Sequence, residues 1–190
     1  MNRAYQEGND FTSLDFTNKT LEKGEYENCT FRNCNFAETM LSDVIFTECT
    51  FENCDFSMTK VGGASFRTVI FRNCKQLGVR FDECSKLLLS FTFENCILNF
   101  ASFYKLKLKG TRFLGCKLQE TDFTETDLTK AIFHDCDLQG SIFDRTIVNE
   151  ADLRTASNFS IDPENNQIKK AKFTLHGLAG LLDKYNIVIE

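Results

Sequence analysis

An all-β solenoid with four flat sides, twenty residues to the turn and a short C-terminal helix is the fold this sequence predicts, on three observations. First, a large apolar residue returns every five positions, from Phe11, Phe16, Leu21 and Tyr26 through Phe31, Phe36 and Leu41 to Phe66 and Phe71. The series resumes in a new phase as Phe93, Leu98, Phe103, Leu108 and Phe113, and runs on to Val148 and Leu153. Second, a smaller residue such as Cys34, Val44, Ala64, Cys96, Ala101 or Thr111 stands two places before each large one, and the remaining three positions are mostly polar. Third, positions twenty apart match in kind, as Phe11, Phe31, Phe51 and Phe71 do. Neither the period of a helix, about 3.6, nor that of a strand, about 2, produces this beat. One large and one small residue inward and three outward is a solenoid rule, in which each unit is stable only when stacked on its neighbours.

Taken in order, residues 1–10 are polar and read as an N-terminal cap, and 11–173 as the coil. Seven turns at strand spacing make a rod roughly 34 Å long. In its second half Phe and Leu alternate, which puts Phe on two opposite walls. Twenty Phe, no Trp and the single proline Pro163 suit flat stacked layers. The beat slips at about 84–95. Gln76 and Lys86 fall on core positions, and the phase advances by two residues before Phe93. Either Leu88 takes the inward role of Lys86, in a side running from Cys84 to Ser90, or the side holding Phe91 carries the extra pair. Both place a bulge on one wall.

After Leu153 the period loosens through a turn-rich stretch, although Ile168, Ala171 and Phe173 still keep the later phase. Residues 174–190 then change period. Thr174 is a candidate N-cap, and Leu175, Leu178, Leu181, Leu182 and Tyr185 make an apolar stripe at helical spacing. Gly177 and Gly180 weaken this helix, so it must gain from packing. Ile187-Val188-Ile189 is β-prone. The open end of a solenoid needs cover. This tail carries more apolar surface than one end needs, so it is expected both to cap and to dimerise, with Leu178, Leu181, Leu182 and Tyr185 as the interface.

All nine cysteines (29, 34, 49, 54, 74, 84, 96, 116 and 136) fall on the small inward position, where Ala, Val and Thr also occur, so size is their common property. Cys34, Cys54 and Cys74 should stack, as should Cys96, Cys116 and Cys136. Parallel inward Cβ vectors disfavour bridges between them, and buried free thiols are expected. No CxxC pairing suggests zinc.

The chain carries 22 Lys and Arg against 27 Asp and Glu, a net charge of −5, unevenly spread. Residues 1–60 sum to −6, 61–118 to +7 and 119–154 to −6, while 155–190 balance. In a rod, sequence position is height, so these become an acidic tip, a basic belt and an acidic zone beside the C-terminal end. Rods joined through their tails would set two acidic zones together, with Asp122, Glu125, Asp127, Asp135, Asp137, Asp144, Glu150 and Asp152 as a regular array resembling a row of phosphates.

No catalytic site is expected. His134 and His176 are the only imidazoles, no hydrolase, zincin, P-loop or dinucleotide fingerprint occurs, and a coil filled with Phe leaves no substrate cavity. The prediction is therefore of a non-enzyme with no cofactor and no metal. No apolar run approaches the roughly 18 residues a membrane span needs, and Met1 to Asp10 lacks a signal core. A cytoplasmic location, without membrane contact, follows as the expectation. Nucleic acid is not an expected ligand, because the aromatics that would stack on bases are turned inward.

These pentamers resemble those of the pentapeptide-repeat family, whose A(D/N)LXX-type pattern is met across roughly 11–157. The resemblance implies a right-handed quadrilateral β-helix. The ending is similar to that of Qnr-type quinolone-resistance proteins, in Ile161-Asp162-Pro163-Glu164-Asn165, Ala171-Lys172-Phe173 and Gly180-Leu181-Leu182-Asp183-Lys184-Tyr185. That likeness implies a tail-to-tail homodimer that binds DNA gyrase and topoisomerase IV as a DNA mimic and protects them from quinolones. A structural or protein-interaction solenoid with another cytoplasmic partner is the alternative, working through the basic belt or the bulge near Leu88.

Overall fold

The computed structural model describes residues 4–188. It is a right-handed quadrilateral β-helix in which each residue sits above the one twenty places on. The strands pair in parallel in two sheets. One runs the length of the first wall, with β2 (Asp10–Thr12), β4 (Thr30–Arg32), β6 (Thr50–Glu52), β8 (Val69–Arg72), β9 (Phe91–Glu94), β10 (Arg112–Leu114) and β11 (Ile132–His134) in that spatial order. The other forms the upper fourth wall from β1 (Ala4–Glu7), β3 (Gly24–Glu27), β5 (Val44–Thr47) and β7 (Ser65–Arg67). The second and third walls pair through single bridges such as Asp55↔Lys75 and Ser102↔Asp122. Residues 1–10, expected as a cap, supply the first rung of the coil from Ala4 onward.

Local chemistry makes the corners. The residue two beyond most of the large ones has positive φ, as at Asn33, Asp43, Asn53, Gly63, Gly110 and Gly140. Asn, Asp and Gly tolerate that conformation best. At the corners that follow the second and third walls, and the lower fourth wall, the next small residue closes the turn by donating its N–H to the large residue's carbonyl. Examples are Thr39 to Phe36 at 3.1 Å and Ala131 to Leu128, at the end of the fourth wall, at 2.9 Å. Positive φ at the third residue of such a four-residue turn is the type II requirement.

Inside, the large residues form four columns. Seven Phe rings, Phe11, Phe31, Phe51, Phe71, Phe93, Phe113 and Phe133, stack without a break down the first wall, with centroids 4.6 to 5.4 Å apart. In the lower half Phe103, Phe123 and Phe143 stack on the opposite wall and meet the first column edge-on, as Phe103 and Phe113 do at 77°. Offset stacks within columns and edge-to-face contacts between them are the two favourable ring geometries.

The small position does more than save space. Cys54 and Cys74 direct Sγ at the carbonyls of Phe31 and Phe51, at 3.4 and 3.3 Å. Thr121, Thr126 and Thr146 donate in the same way to Leu98, Phe103 and Phe123, at 3.0, 2.8 and 2.8 Å. A side-chain donor here satisfies the carbonyl of the large residue in the turn above, so hydrogen bonding selects Cys and Thr alongside size. The thiols are free and buried. The two cysteine sets form one ladder, because the register resumes at twenty-two across the slip and Cys74 lies over Cys96 on the second wall. Burial pushes the Cys49 and Cys84 thiols up to about 12, which keeps them protonated.

At the slip, neither Lys86 nor Leu88 turns inward. The fourth wall bulges between Ser85 and Ser90, where Leu88 has φ 58° and is exposed. Phe91 fills the vacated core position instead, with its ring 5.5 Å from Phe66 and 5.2 Å from Phe81. The side running from Cys84 to Ser90 thus carries the extra pair, but its leucine stays out because Phe91, at the small position of the first wall in register with Val69, already reaches the gap. The fourth-wall sheet ends here, and below it the wall continues as bridges. Gln76 does keep its core place, fully buried, with Oε1 unpartnered among the described residues and Nε2 3.9 Å from Cys96 Sγ.

The tail is a broken helix: 3-10 turns at His176–Leu178 and Asp183–Tyr185 flank one α turn, α1 (Ala179–Leu182). Thr174 does cap it, its Oγ1 accepting the Gly177 N–H at 3.2 Å. Gly180 lies so close to Phe159 that a Cβ would come 2.8 Å from the ring, and its carbonyl accepts the Ile161 N–H at 2.9 Å. Close approach to the last turn is therefore why glycine stands in this helix. Lys184 clamps the tail to Asp162 and Glu164 at 2.8 and 2.6 Å, and Tyr185 donates to Glu164 at 2.7 Å. Ile187 and Val188 form no strand, and Ile189 lies outside the described residues.

Phe113→Ala opens a cavity in the middle of a continuous stack and should lower unfolding free energy by about 3–5 kcal/mol in urea titration. Lys184 holds the Asp162 and Glu164 carboxyls below the ordinary carboxylate range. A depressed folded-state value stabilises above the ordinary carboxylate pKa, and that contribution is lost as pH falls through the lowered one. Hydrogen exchange at Leu181 and Leu182 should therefore quicken below about pH 4, while exchange in β10 should not.

Candidate interaction surfaces

The residue just before each large one points outward, and on the lower turns it is often Asp. Its carboxylate then accepts the N–H two residues on, as Asp122 does from Thr124 at 2.8 Å, Asp127 from Thr129 at 3.1 Å, Asp137 from Gln139 at 3.2 Å and Asp152 from Arg154 at 3.2 Å. These aspartates fasten the corners, a local role that the recurrent Asp-large-Thr triplets at 122–124 and 127–129 signal in the sequence. Burial pushes the Asp127 and Asp137 carboxyls up. Hydrogen bonds outweigh it, from Thr129 and Lys109 at the first and from Asn158, Gln119 and the Gln139 amide at the second, leaving both below the ordinary range. The Arg154 guanidinium does the same for Asp152.

The eight carboxylates expected to form one array are spread around the rod. Asp152 lies on the first wall, Asp137 on the second, Asp122 and Asp144 on the third and Asp127 on the fourth, while Glu125, Asp135 and Glu150 occupy corners. Several are neutralised. Glu125 sits between Lys105 and Arg145 at 3.4 and 3.2 Å, Asp144 meets Arg145 at 2.9 Å, Asp127 meets Lys109 at 3.3 Å and Glu150 meets Lys130 at 3.9 Å. Asp135 and Asp137 stand together at the edge between the first and second walls. Among the described residues no Lys or Arg lies within ion-pair distance of either, although Lys117 is in register above Asp137 and His134 Nε2 is 3.3 Å from Asp135.

The basic belt is likewise partly spent. Down the first wall Asp10, Arg32, Glu52, Arg72 and Glu94 form a ladder of alternating sign with contacts of 2.6 to 3.3 Å. Arg80 is held by Asp82 at 2.7 Å. Among the described residues Arg67, Lys86, Lys107 and Arg112 keep no carboxylate partner within ion-pair distance.

At the C-terminal end Leu181 packs on the core, whereas Leu175, Leu178, Leu182, Tyr185, Ile187 and Val188 are exposed. Three of the four expected interface residues, Leu178, Leu182 and Tyr185, thus share an outward apolar face, and Leu181 is the tail's anchor. His176 is exposed on the same tail, away from His134 on the first wall. Among the described residues no group of three His, Cys, Asp or Glu is placed to hold a metal ion, and no helix is long and apolar enough to cross a membrane.

Comparison with curated proteins finds no match. Among solved structures, a trypsin-treated variant of QnrB1, described as a plasmid-mediated fluoroquinolone resistance protein, is 20% identical, with 97% of this chain and 99% of that one covered and a TM-score of 0.50. A second trypsin-treated QnrB1 variant is 19% identical, with 97% and 91% covered and a TM-score of 0.49. HetL, a pentapeptide repeat protein involved in heterocyst differentiation regulation from the cyanobacterium Nostoc, is 15% identical, with 88% and 86% covered and a TM-score of 0.37. At these identities the likeness is one of fold. The model of the pentapeptide repeat region matches residues 24–92 and 79–173, and with the pentamers seen as stacked quadrilateral turns, the chain belongs to the pentapeptide-repeat family.

Proposed function

We propose that this chain is a non-catalytic cytoplasmic docking rod that pairs tail to tail and engages DNA gyrase or topoisomerase IV in the place of duplex DNA, shielding the enzyme from quinolones. The observation that carries the reading is the exposed apolar face of Leu178, Leu182 and Tyr185 on a tail firmly clamped to the last turn, directly beyond the acidic turns. Two such faces brought together bury their side chains against each other and set the acidic turns at the centre of a rod of double length. The Qnr-like ending of the sequence and the fluoroquinolone-resistance description of QnrB1 support the same partner.

The charge geometry narrows the contact. Carboxylates around all four walls cannot all face one partner, and those paired with Lys or Arg project little field. At the edge holding Asp135 and Asp137 neither carboxylate has a Lys or Arg within ion-pair distance among the described residues, although Lys117 lies in register above Asp137, and the enzyme is expected to read that edge. Solvent-exposed charges at such an edge are screened by salt. A solenoid serving another protein through its basic side is the second reading, favoured by the unpaired bases around the bulge.

In a gyrase supercoiling assay with a quinolone, added protein should restore activity, and the effect should weaken steeply as salt rises. Asp135→Lys should abolish the rescue without unfolding the coil, because Lys105 and Lys130 already occupy equivalent left-handed corners. Leu178→Asp with Leu182→Asp should halve the mass in sedimentation. Absence of rescue at every concentration, with an intact dimer, would remove the topoisomerase reading and leave the dimer standing.

A further inference from the structure

The fourth wall carries a feature that neither the dimer nor the acidic edge uses. Two extra residues loop out between Ser85 and Ser90, and at the tip Leu87 and Leu88 are 64% and 68% exposed, more than Leu182 or Leu178 on the tail. Leu88 also sits at φ 58°, in the left-handed region, in a corner column where Gly8, Asn28 and Gly110 take the same conformation at other turns. A leucine there is costly. The loop is nonetheless seated: Leu89 packs on the core, and the flanks are fixed by the Ser85 N–H on the Ala64 carbonyl at 2.7 Å and the Ser90 N–H on the Phe66 carbonyl at 3.2 Å. Two leucines are thus presented outward on a rigid wall.

Around them the charge is one-sided. Lys86 lies in the loop itself, Arg67 in the turn above, Lys107 in the turn below and Arg112 at the adjoining start of the first wall. Among the described residues none has a carboxylate partner, and Nε of Arg67 is buried with no acceptor. The acids of the same turn are diverted, with Asp82 and Glu83 both held by Arg80 at 2.7 and 3.6 Å. Unpaired bases favour an anionic occupant, and an exposed leucine pair favours one with an apolar hollow.

We propose that the Ser85–Ser90 bulge, with Leu87 and Leu88 at its tip and Arg67, Lys86 and Lys107 around it, is a docking knob for an acidic, apolar-bearing segment of a partner protein. Charge complementarity selects an acidic occupant, and the leucine pair selects one that also offers apolar side chains. Nucleic acid would answer the bases but leave both leucines in water. An anionic bilayer could accept the leucines, but a single short knob on a narrow rod offers it little apolar area. The knob is independent of topoisomerase binding, because it lies on another wall and has the opposite charge.

The probe is a fluorescein-labelled twelve-residue peptide of alternating Glu and Leu, followed by anisotropy in low salt against its Glu→Gln and Glu/Ser counterparts. The full-length protein should bind Glu/Leu at least tenfold more tightly than either counterpart. Leu87→Ser with Leu88→Asn, which also relieves the left-handed leucine, should lose tenfold or more in affinity while keeping or raising the melting temperature. Lys86→Glu with Lys107→Glu should do the same, and Asp135→Lys should have no effect. Equal binding of the Glu/Ser peptide, binding unchanged in the leucine variant, tighter binding to phosphatidylserine vesicles than to the peptide, or bulge-dependent self-association in place of peptide binding would each overturn the proposal. Because Asp135→Lys tests the acidic edge and the leucine pair tests the knob, failure of one leaves the other readable.

Discussion

The structure depends on register. Each turn lies on the next at strand spacing, roughly 4.8 Å, so an inward side chain must share its column with the residue twenty places away. A planar ring stacked on a ring fills such a column without gaps. Seven consecutive Phe do so on the first wall. Because the column is continuous, two extra residues cannot be shared among the walls. They are expelled at one place, the Ser85–Ser90 bulge, after which the register resumes with Phe71 over Phe93. Phe91 moving into the vacated site shows how strongly an empty core position is penalised.

The same register organises the exterior. Outward residues also sit in columns, where like charges placed one above another repel and unlike charges pair. The alternation of Asp10, Arg32, Glu52, Arg72 and Glu94 follows that rule, as does Lys105, Glu125 and Arg145. Bands of net charge along the sequence therefore overstate the field outside the rod. What stays unpaired includes Asp135 and Asp137 on one edge, and Arg67, Lys86 and Lys107 around the bulge on another wall. One molecule thus offers two surfaces of opposite sign at different heights.

The C-terminal end shows how a stack is stopped. Phe173 ends the first-wall column below Leu153, with Phe159 beside it, and a helix broken into short turns closes over Phe159 because Gly180 allows backbone to approach ring. Only Leu181 is committed to that cover. The leucines and tyrosine beyond it stay exposed, and this surplus is the surface that the proposed pairing of two rods would bury.

By itself the sequence determined the coil, because a period of five in large residues and twenty in residue type has one compact solution, and it located the slip, the capping tail and the buried thiols. It also marked the tail helix, weakened by Gly177 and Gly180, as one that must gain from packing. Only the tertiary structure decided how the slip resolves, since whether Leu88 or Phe91 enters the core depends on which side chain reaches a gap bounded by Phe66 and Phe81. It likewise decided which carboxylates are free, because Asp127 and Asp135 look alike in composition, yet one faces Lys109 and its own turn amide and the other faces water beside a histidine. It revealed, too, that the small position selects hydrogen-bond donors, a partnership with a carbonyl twenty-three residues back that no local window contains. Periodicity fixes where a residue points, but only the neighbours brought into register from the turns above and below fix what it meets there.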